Sequence, residues 1–186
     1  FYFGGASMNS TADVIMTGEF TSNDFGSSVS GAGDVNNDGF SDVIAGAYAA
    51  NGYTGKSYIY YGGSSMNNIA DVIMTGEFSN DNFGYSVSDA GDVNGDGYKD
   101  VIIGAYGFSS GFGRKYIYYG GVTMDNTADV IMIGGGLGEN FGVSVSNAGD
   151  VNDDGYSDVI IGANGFNSNT GRAYIFYGGA SMNSIA

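Results

Sequence analysis

The sequence predicts an all-β fold, a β-propeller built of four-stranded antiparallel blades. Three observations predict it. A unit of 58 residues occurs three times in the 186-residue chain, each unit holds four short strand-like runs, and turns rich in Gly, Asn, Asp and Ser separate those runs. No segment shows sustained helical periodicity. Four antiparallel strands in a repeat of this size are typical of a propeller blade.

The second unit shows the four predicted strands in order. Residues 83–91 are rich in small side chains, which suit an inner strand crowded against a central axis. Residues 100–105 form an apolar run bounded by Gly. Residues 115–119 are aromatic and β-branched, which suits a wider outer part of the blade, and residues 129–133 form the fourth run.

The repeats define a single propeller-type module over residues 1–186, and the pattern leaves that module incomplete. The predicted blades cover about residues 25–82, 83–140 and 141–186. The last unit stops before its fourth strand, so we expect residues 1–24, through the run Asp13-Val-Ile-Met16, to supply the missing last strand of a blade. Closed propellers need about four to eight blades, so three leave an open edge that another chain can complete.

This open edge predicts a homo-oligomer. Two copies arranged head to tail would give six blades in a closed ring, or a filament if the rotation does not close. A further interpretation is that the chain, which starts at Phe1 inside a repeat, is a piece of a longer propeller.

Composition excludes several classes of function. The chain has 20 acidic and 5 basic residues, a net charge of −15, which disfavours nucleic acids and anionic membranes as partners. No apolar run approaches the ~20 residues that span a bilayer, so we expect no membrane insertion. The chain contains no His and no Cys, which removes most transition-metal sites, thiol nucleophiles and the usual general base.

A nine-residue loop recurs at the same place in every unit. It carries oxygen-bearing side chains at positions 1, 3, 5 and 9 and Gly at position 6, a pattern that favours a hard cation. We predict three Ca²⁺ ions, one per unit, with the carbonyl of position 7 as a further ligand. The predicted ligands are Asp34, Asn36, Asp38, Phe40 and Asp42; Asp92, Asn94, Asp96, Tyr98 and Asp100; and Asp150, Asn152, Asp154, Tyr156 and Asp158.

Other interpretations of the loop are weaker. An EF-hand needs Glu at position 12, where the units carry Ala45, Ile103 and Ile161. Metal-free Asx-rich turns would account for one such loop more easily than for three with every ligand position filled. Calcium is a poor generator of nucleophilic water and no base recurs beside the loop, so we predict a structural ion and no enzyme activity.

Three features of each unit resemble a known family. The pair Phe83-Gly84, the loop at 92–100 and the pair Gly104-Ala105 resemble the FG-GAP repeat of integrin α-subunit propellers and their bacterial relatives. The resemblance implies that the loop joins the first two strands of a blade and holds a structural Ca²⁺. It also implies adhesion or protein–protein recognition, although a full propeller of this family has about seven repeats.

The function predicted from these features is a calcium-stabilised, non-enzymatic interaction or assembly scaffold. We expect it outside the cell or at the cell surface, where millimolar calcium fills modest sites. Its ligand would be a protein or a glycan. Two alternatives stay open, a carbohydrate-binding, lectin-like propeller and an accessory domain of a larger secreted enzyme.

Three further groups of residues have predicted roles. The tyrosines at 58, 60 and 61 and their counterparts are expected to pack the outer strands rather than to stack on sugars. Glu19, Glu77 and Glu139 are expected to be solvated turn acids rather than the paired carboxylates of a glycosidase. The connections at 47–57, 105–115 and 163–173 vary most between units, and we expect them to be exposed and to offer a partner surface.

Overall fold

The computed structural model describes residues 10–182 and confirms the all-β prediction, with one antiparallel sheet per repeat. The first sheet has the order β1-β2-β3-β4, with strands β1 Ser28–Gly33, β2 Asp42–Ala47, β3 Lys56–Tyr60 and β4 Val72–Thr75. The second has the order β5-β6-β7-β8, with strands β5 Ser86–Gly91, β6 Asp100–Ala105, β7 Arg114–Tyr118 and β8 Val130–Ile133. The third has three strands among the described residues, β9 Phe141–Gly149, β10 Asp158–Ala163 and β11 Arg172–Phe176, in the order β11-β10-β9.

The pairing register is the same in every sheet, because the repeats have the same length. Val43 pairs with Tyr60 between the second and third strands of the first sheet. The equivalent pairs are Val101 with Tyr118 and Val159 with Phe176. We refer to the three sheets as blades 1, 2 and 3.

The first strand of each blade lies innermost, as its small residues predict. Strand β1 contacts β5, and β5 in turn contacts β9, so these three strands line one axis. Among residues 10–182 the blades do not close into a ring, which is the arrangement of an incomplete propeller.

Most of the hydrophobic core lies between the blades, and a smaller buried cluster of Ala47, Ala50, Tyr58 and Tyr60 lies on blade 1. Ile44, Ile59 and Met74 of blade 1 belong to one buried cluster with Phe83 and Tyr116 of blade 2. An equivalent cluster joins blade 2 to blade 3. A blade therefore buries much of its apolar surface against a neighbouring blade, whereas the smaller cluster on blade 1 packs against the N-terminal segment at Met16.

The connection between the second and third strands of each blade is a tight one-turn element. These elements are α1 Ala50–Tyr53, α2 Phe108–Gly111 and α3 Phe166–Asn169. The two central residues of each lie in the left-handed region, for example Ser109 at φ 50° and Ser110 at φ 62°. In the first connection only the tip at 51–53 is fully exposed, because Ala47, Ala49 and Ala50 are buried. The predicted exposed surface is thus limited to the tips in blades 1 and 2, whereas in blade 3 residues 167–170 and 172–173 are exposed.

The N-terminal segment lies against blade 1 without forming a strand in the single chain. Residues 13–17 carry no strand assignment, but Met16 packs against the buried cluster that contains Tyr58 and Tyr60. The prediction that this segment completes a blade of another copy therefore stays a prediction. Its parts at residues 1–9, and the end of the third repeat at 183–186, lie outside the described residues.

Candidate metal centres

The first Asp of each acidic loop closes the loop on itself. The carboxylate of Asp34 accepts hydrogen bonds from the N–H groups of Asp38 at 3.0 Å and Gly39 at 2.9 Å. Asp92 and Asp150 accept the equivalent pairs of bonds in the other blades. Gly39 has φ 91°, a conformation that a residue with a Cβ adopts only with strain, so glycine at position 6 lets the chain turn around the carboxylate.

Positions 3, 5 and 7 lie together on the exposed side of the loop. The amide Nδ2 of Asn36 donates to Asp38 Oδ2 at 3.0 Å, and the N–H of Phe40 donates to Asp38 Oδ1 at 2.9 Å. The same contacts recur at Asn94, Asp96 and Tyr98 and at Asn152, Asp154 and Tyr156. These three predicted ligand positions are thus brought together in every blade.

The ninth position faces the protein interior. Asp42 is buried, and its two oxygens accept hydrogen bonds from the N–H groups of Val35 at 2.8 Å and Gly62 at 2.7 Å. The first bond anchors the start of the loop, and the second ties it to the turn after β3. Asp100 and Asp158 form the same pair of bonds in blades 2 and 3. The sequence pattern predicts this Asp as a ligand, but it does not indicate that the Asp also joins two turns.

The buried carboxylate lies in an unfavourable electrostatic environment. Burial raises the pKa of Asp100 to about 7, although the N–H groups of Gly120 and Val93 lower it. The nearby carboxylates of Asp96 and Asp92 raise the pKa further. Burial also raises the pKa of Asp42. A cation among these groups would favour the ionised form of the carboxylates.

The chemistry of the loop fits Ca²⁺. The donors are carboxylate, amide and backbone oxygens, without nitrogen or sulfur ligands, which is the donor set of a hard cation. Within residues 10–182, no three acidic side chains are assembled as a preformed metal site, since the loop carboxylates accept backbone N–H groups instead. If the ion binds, it would lie among positions 1, 3, 5 and 7, with the ninth-position Asp on the interior side, and it would supply positive charge that holds the loop closed.

A pocket opens on the opposite side of blade 2, at the ends of the strands away from the acidic loops. It has a volume of about 520 Å³ and is lined by Phe78, Asp81, Phe108 and Arg114, among others. The guanidinium of Arg114 lies 3.6 Å from the centroid of the Phe108 ring and forms an ion pair with Glu77 at 2.6 Å. Asp81 is buried, and its Oδ2 has no hydrogen-bond partner among the described residues. Burial raises the pKa of this carboxyl.

The glutamates do not behave as one repeated group. Glu19 and Glu77 occupy equivalent positions, and each forms an ion pair, with Lys56 at 2.7 Å and with Arg114 respectively. Glu139 instead occupies the position of Asp81 and is buried, where it accepts a hydrogen bond from the hydroxyl of Tyr174. The prediction of a solvated turn acid is therefore wrong for Glu139, because the third repeat places Gly135 where Glu19 and Glu77 would align.

Four of the repeated tyrosines pack the core, as predicted, whereas Tyr177 is 56% exposed. Tyr58, Tyr60, Tyr116 and Tyr118 are buried, so they offer no platform to a sugar. Desolvation raises the pKa of Tyr58 and of Tyr116 to about 12. These hydroxyls are therefore neutral structural groups at ordinary pH.

Comparison with known proteins supports the repeat assignment. The profile of the FG-GAP repeat family matches residues 25–60, 83–118 and 141–176, together more than half of the chain. Each match begins at a Phe-Gly pair and ends in the third strand of a blade. A search of curated proteins finds no significant match. Among residues 10–182 no helix has the length and hydropathy of a membrane span. The three matches, one on each blade, show that the chain belongs to the FG-GAP repeat family.

Proposed function

We propose that the chain is a calcium-stabilised, non-enzymatic scaffold for interaction and assembly, acting outside the cell or at its surface. FG-GAP repeats form propeller-type interaction domains and are typical of extracellular proteins, and this supports the class and the location. Three acidic loops on one side and open blades at both ends support the calcium and assembly roles. Adhesion and recognition of another protein are the forms of interaction that the family favours.

The observation that carries the proposal is the link between each acidic loop and its own blade. The buried Asp at position 9 bonds both the start of the loop and the turn after the third strand, as Asp100 does with Val93 and Gly120. An ion held by the loop would therefore stabilise two connections of the blade at once. Non-enzymatic function is favoured because the loops are equivalent, and a repeated structural ion needs no unique catalytic site.

Thermal unfolding in calcium and in EDTA tests this role. Because an ion that binds only the folded state stabilises it by mass action, we expect a higher Tm in millimolar CaCl₂ than in EDTA, and a smaller rise in MgCl₂. The triple substitution Asp38→Asn, Asp96→Asn and Asp154→Asn should abolish the calcium-dependent rise. Equal Tm values for the parent chain in CaCl₂ and EDTA would reject the calcium role. Hydrolytic activity of the isolated chain would reject the non-enzymatic one.

A carbohydrate-binding function is the second candidate, and the pocket beside Phe78 favours it. That pocket combines an exposed aromatic ring with a buried carboxyl oxygen that lacks a hydrogen-bond partner. Aromatic faces and carboxylates are the groups that contact sugar rings and hydroxyls. A glycan array should show binding that Phe78→Ser removes and the control Ile69→Ser, at another exposed apolar residue, retains. An array without any bound glycan would remove this candidate.

Assembly is the remaining part of the proposal. Open faces at both ends of the blade array favour a head-to-tail homo-oligomer, as a six-bladed ring or as a filament. The molecular mass in solution reports this state.

A further inference from the structure

We propose that the open face of blade 3 is a docking site for blade 1 of a second copy of the chain, whose residues 13–17 complete the third sheet. We call the open face of blade 3 the trailing face and the open face of blade 1 the leading face. The inference rests on the proposed scaffold role and deepens it by naming the partner and its contact residues.

The two internal junctions show how one blade docks on the next. At the first, the backbone of Phe83-Gly84 lies against Gly46 and Gly55 of blade 1, so closely that a Cβ on either glycine would overlap a carbonyl oxygen. Gly55 and Phe83 also form a parallel β-bridge. The junction is thus a backbone-to-backbone contact that only glycine permits.

The second junction repeats the first. The backbone of Phe141-Gly142 lies against Gly104 and Gly113 of blade 2, and a Cβ on either glycine would again overlap a carbonyl oxygen. Gly113 and Phe141 form the second parallel β-bridge. We call each such pair of glycines a glycine cradle, and the Phe-Gly pair of the following blade is its occupant.

The trailing face carries a third glycine cradle, and no Phe-Gly pair of the described residues occupies it. A Cβ on Gly162 would meet no atom nearer than Ser144 Cβ at 3.4 Å, an ordinary contact within its own blade. A Cβ on Gly171 would meet no atom nearer than 3.9 Å. Conversely, the leading face presents the pair Phe25-Gly26, and nothing lies within 4 Å of the Cβ position of Gly26. One end has the cradle and the other end has its occupant.

Apolar side chains on the trailing face are exposed where their counterparts are buried. Ile175 is 44% exposed, whereas Ile59 and Ile117 at the same position of the other blades are both 0% exposed. Val151 is 50% exposed, and its counterparts are fully buried by the next blade. The trailing face therefore has the apolar composition of a junction without the blade that covers one.

The leading face also exposes an apolar side chain whose counterparts in the other blades are buried. Val29 is 65% exposed, while Val87 and Val145 at the same position of blades 2 and 3 are 5% and 8% exposed. Phe25 and Val43 lie beside it and are partly buried. Docking of a blade here would cover all three, as the internal junctions cover their counterparts.

The N-terminal segment already lies where the outer strand of a preceding blade would lie. In the first junction, Met74 of the outer strand β4 packs into the cluster that holds Phe83 and Tyr116 of blade 2. Met16, its counterpart, packs against the cluster of Tyr58 and beside Phe25 of blade 1. A second copy that docks by its leading face would therefore bring its residues 13–17 next to β11, the edge strand of the third sheet.

A second copy is the occupant that the sequence repeat favours. The docking surfaces are the same residue types, at the same repeat positions, as two junctions that the chain already forms. Each junction also contains a backbone hydrogen bond from the following blade to the preceding one, from the N–H of Lys99 to the Asp34 carbonyl at 3.2 Å and from the N–H of Ser157 to the Asp92 carbonyl at 2.9 Å. The matching carbonyl and N–H at the open ends belong to Asp150 and Ser41.

The substitution Gly162→Ala tests the docking site with little effect on a single copy. The added Cβ fits the isolated chain, but in a docked pair it would overlap the Gly26 carbonyl of the second copy. We expect the parent chain to form dimers or larger species by light scattering and sedimentation, and Gly162→Ala to be monomeric with an unchanged circular dichroism spectrum. Gly121→Ala, where a Cβ meets nothing within 4 Å, is the matched control and should assemble like the parent chain. Gly104→Ala should instead lower the Tm of the single chain.

A mixing experiment separates the two faces. Val29→Asp should block the leading face, so neither it nor Gly162→Ala should assemble alone. Val29→Asp keeps an intact trailing face, and Gly162→Ala keeps an intact leading face. A mixture should therefore form one-to-one pairs that do not grow into larger assemblies. A parent chain that stays monomeric at every concentration, or a Gly162→Ala chain that assembles like the parent, would overturn the inference.

The same samples distinguish this inference from the calcium role. If the chain assembles and its Tm is the same in CaCl₂ and in EDTA, the result supports the docking site and rejects the calcium role. If the chain stays monomeric and its Tm rises in CaCl₂, the result supports the calcium role and rejects the docking site. Capture of a different protein by the trailing face, with no self-assembly, would also overturn the proposed partner.

Discussion

The side-chain nitrogen Nζ of Lys115 lies 3.5 Å from the centroid of the Phe176 ring, across the junction between blades 2 and 3. Lys115 is fully buried, and its Nζ has no hydrogen-bond partner among the described residues. The other repeats place Ser57 and Ala173 at this position, so the buried amine is particular to one junction. Burial lowers the pKa of Lys115 to about 6, while the rings of Phe176 and Phe141 favour the charged form.

This amine predicts a pH-dependent stability. Because the pKa of Lys115 is about 6 in the folded chain and 10.5 when unperturbed, the unfolded state binds more protons between those values. The free energy of unfolding should therefore rise with pH through this range. We expect Lys115→Met to remove that slope and to stabilise the chain by about 2 kcal/mol at neutral pH, since each pKa unit corresponds to about 1.4 kcal/mol and the rings offset part of the penalty.

Urea unfolding from about pH 7.5 to about 9.5 measures how the free energy of unfolding changes with pH. This range lies above the pKa of Asp100, because the raised pKa of that carboxyl makes stability fall as pH rises at lower pH. Lys99→Met, at an exposed lysine, is the control and should leave the slope unchanged. A slope equal in the parent chain and in Lys115→Met would contradict the prediction.

The buried Asp at position 9 predicts a second effect, which does not depend on metal. Asp100→Ala leaves the N–H groups of Val93 and Gly120 without their acceptor. Because an unsatisfied buried group costs about 1–3 kcal/mol, we expect a loss of about 3 kcal/mol in urea unfolding carried out in EDTA. Asp96→Ala, at an exposed ligand position of the same loop, should cost less than about 1 kcal/mol under those conditions. Equal losses for the two variants would show that the hydrogen bonds of Val93 and Gly120 to Asp100 contribute little without metal.

The contacts of Arg114 predict that stacking outweighs its ion pair. Glu77 is exposed, so Glu77→Gln should cost at most about 1 kcal/mol and should lose its effect at high salt. Arg114→Lys also loses the planar group stacked on Phe108, and we expect a larger cost, about 1–2 kcal/mol, that persists in salt. Thermal unfolding at low and high NaCl concentrations measures both. A salt-sensitive cost for Arg114→Lys would assign the stabilisation to the ion pair instead.

The left-handed connections predict a reciprocal pair of substitutions. Ser110 has φ 62° in blade 2, and the equivalent residue of blade 1 is Gly52 at φ 67°. Glycine adopts this region without the penalty of roughly 1–2 kcal/mol that a Cβ incurs, but it loses more entropy on folding. We expect Ser110→Gly to stabilise the chain by about 0.5 kcal/mol and Gly52→Ser to destabilise it by a similar amount. Chemical denaturation of both variants checks the signs, and a destabilising Ser110→Gly would contradict the strain argument.

Strand positions and blade order could be predicted from the sequence because the repeats have equal length. The predicted run at 100–105 is strand β6, and the run at 83–91 contains β5. The predicted ligand positions of one loop lie within nine residues of each other, so the spacing alone brings them into hydrogen-bond contact.

Contacts between repeats could not be predicted in the same way. The burial of Lys115 depends on Phe176, which is distant in the sequence and belongs to another blade. Residue type alone does not indicate the role of Glu139, because its repeat position is that of Asp81 and not that of Glu77. The hydrogen bond of Asp42 to Gly62 joins two turns 20 residues apart, which the pattern of a single loop does not show.

The glycine cradles have a consequence for how such chains change in evolution. Their contact consists of main-chain atoms and the absence of a side chain, so it carries almost no information about which blade comes next. At the cradle itself, any unit that keeps the Phe-Gly pair and the two glycines can follow any other, while side chains such as Lys115 and Phe176 must still match at their own junction. Duplication or exchange of units would therefore preserve the main-chain contact and leave only the side chains around it to change, while a single added methyl group at a cradle is enough to end the series.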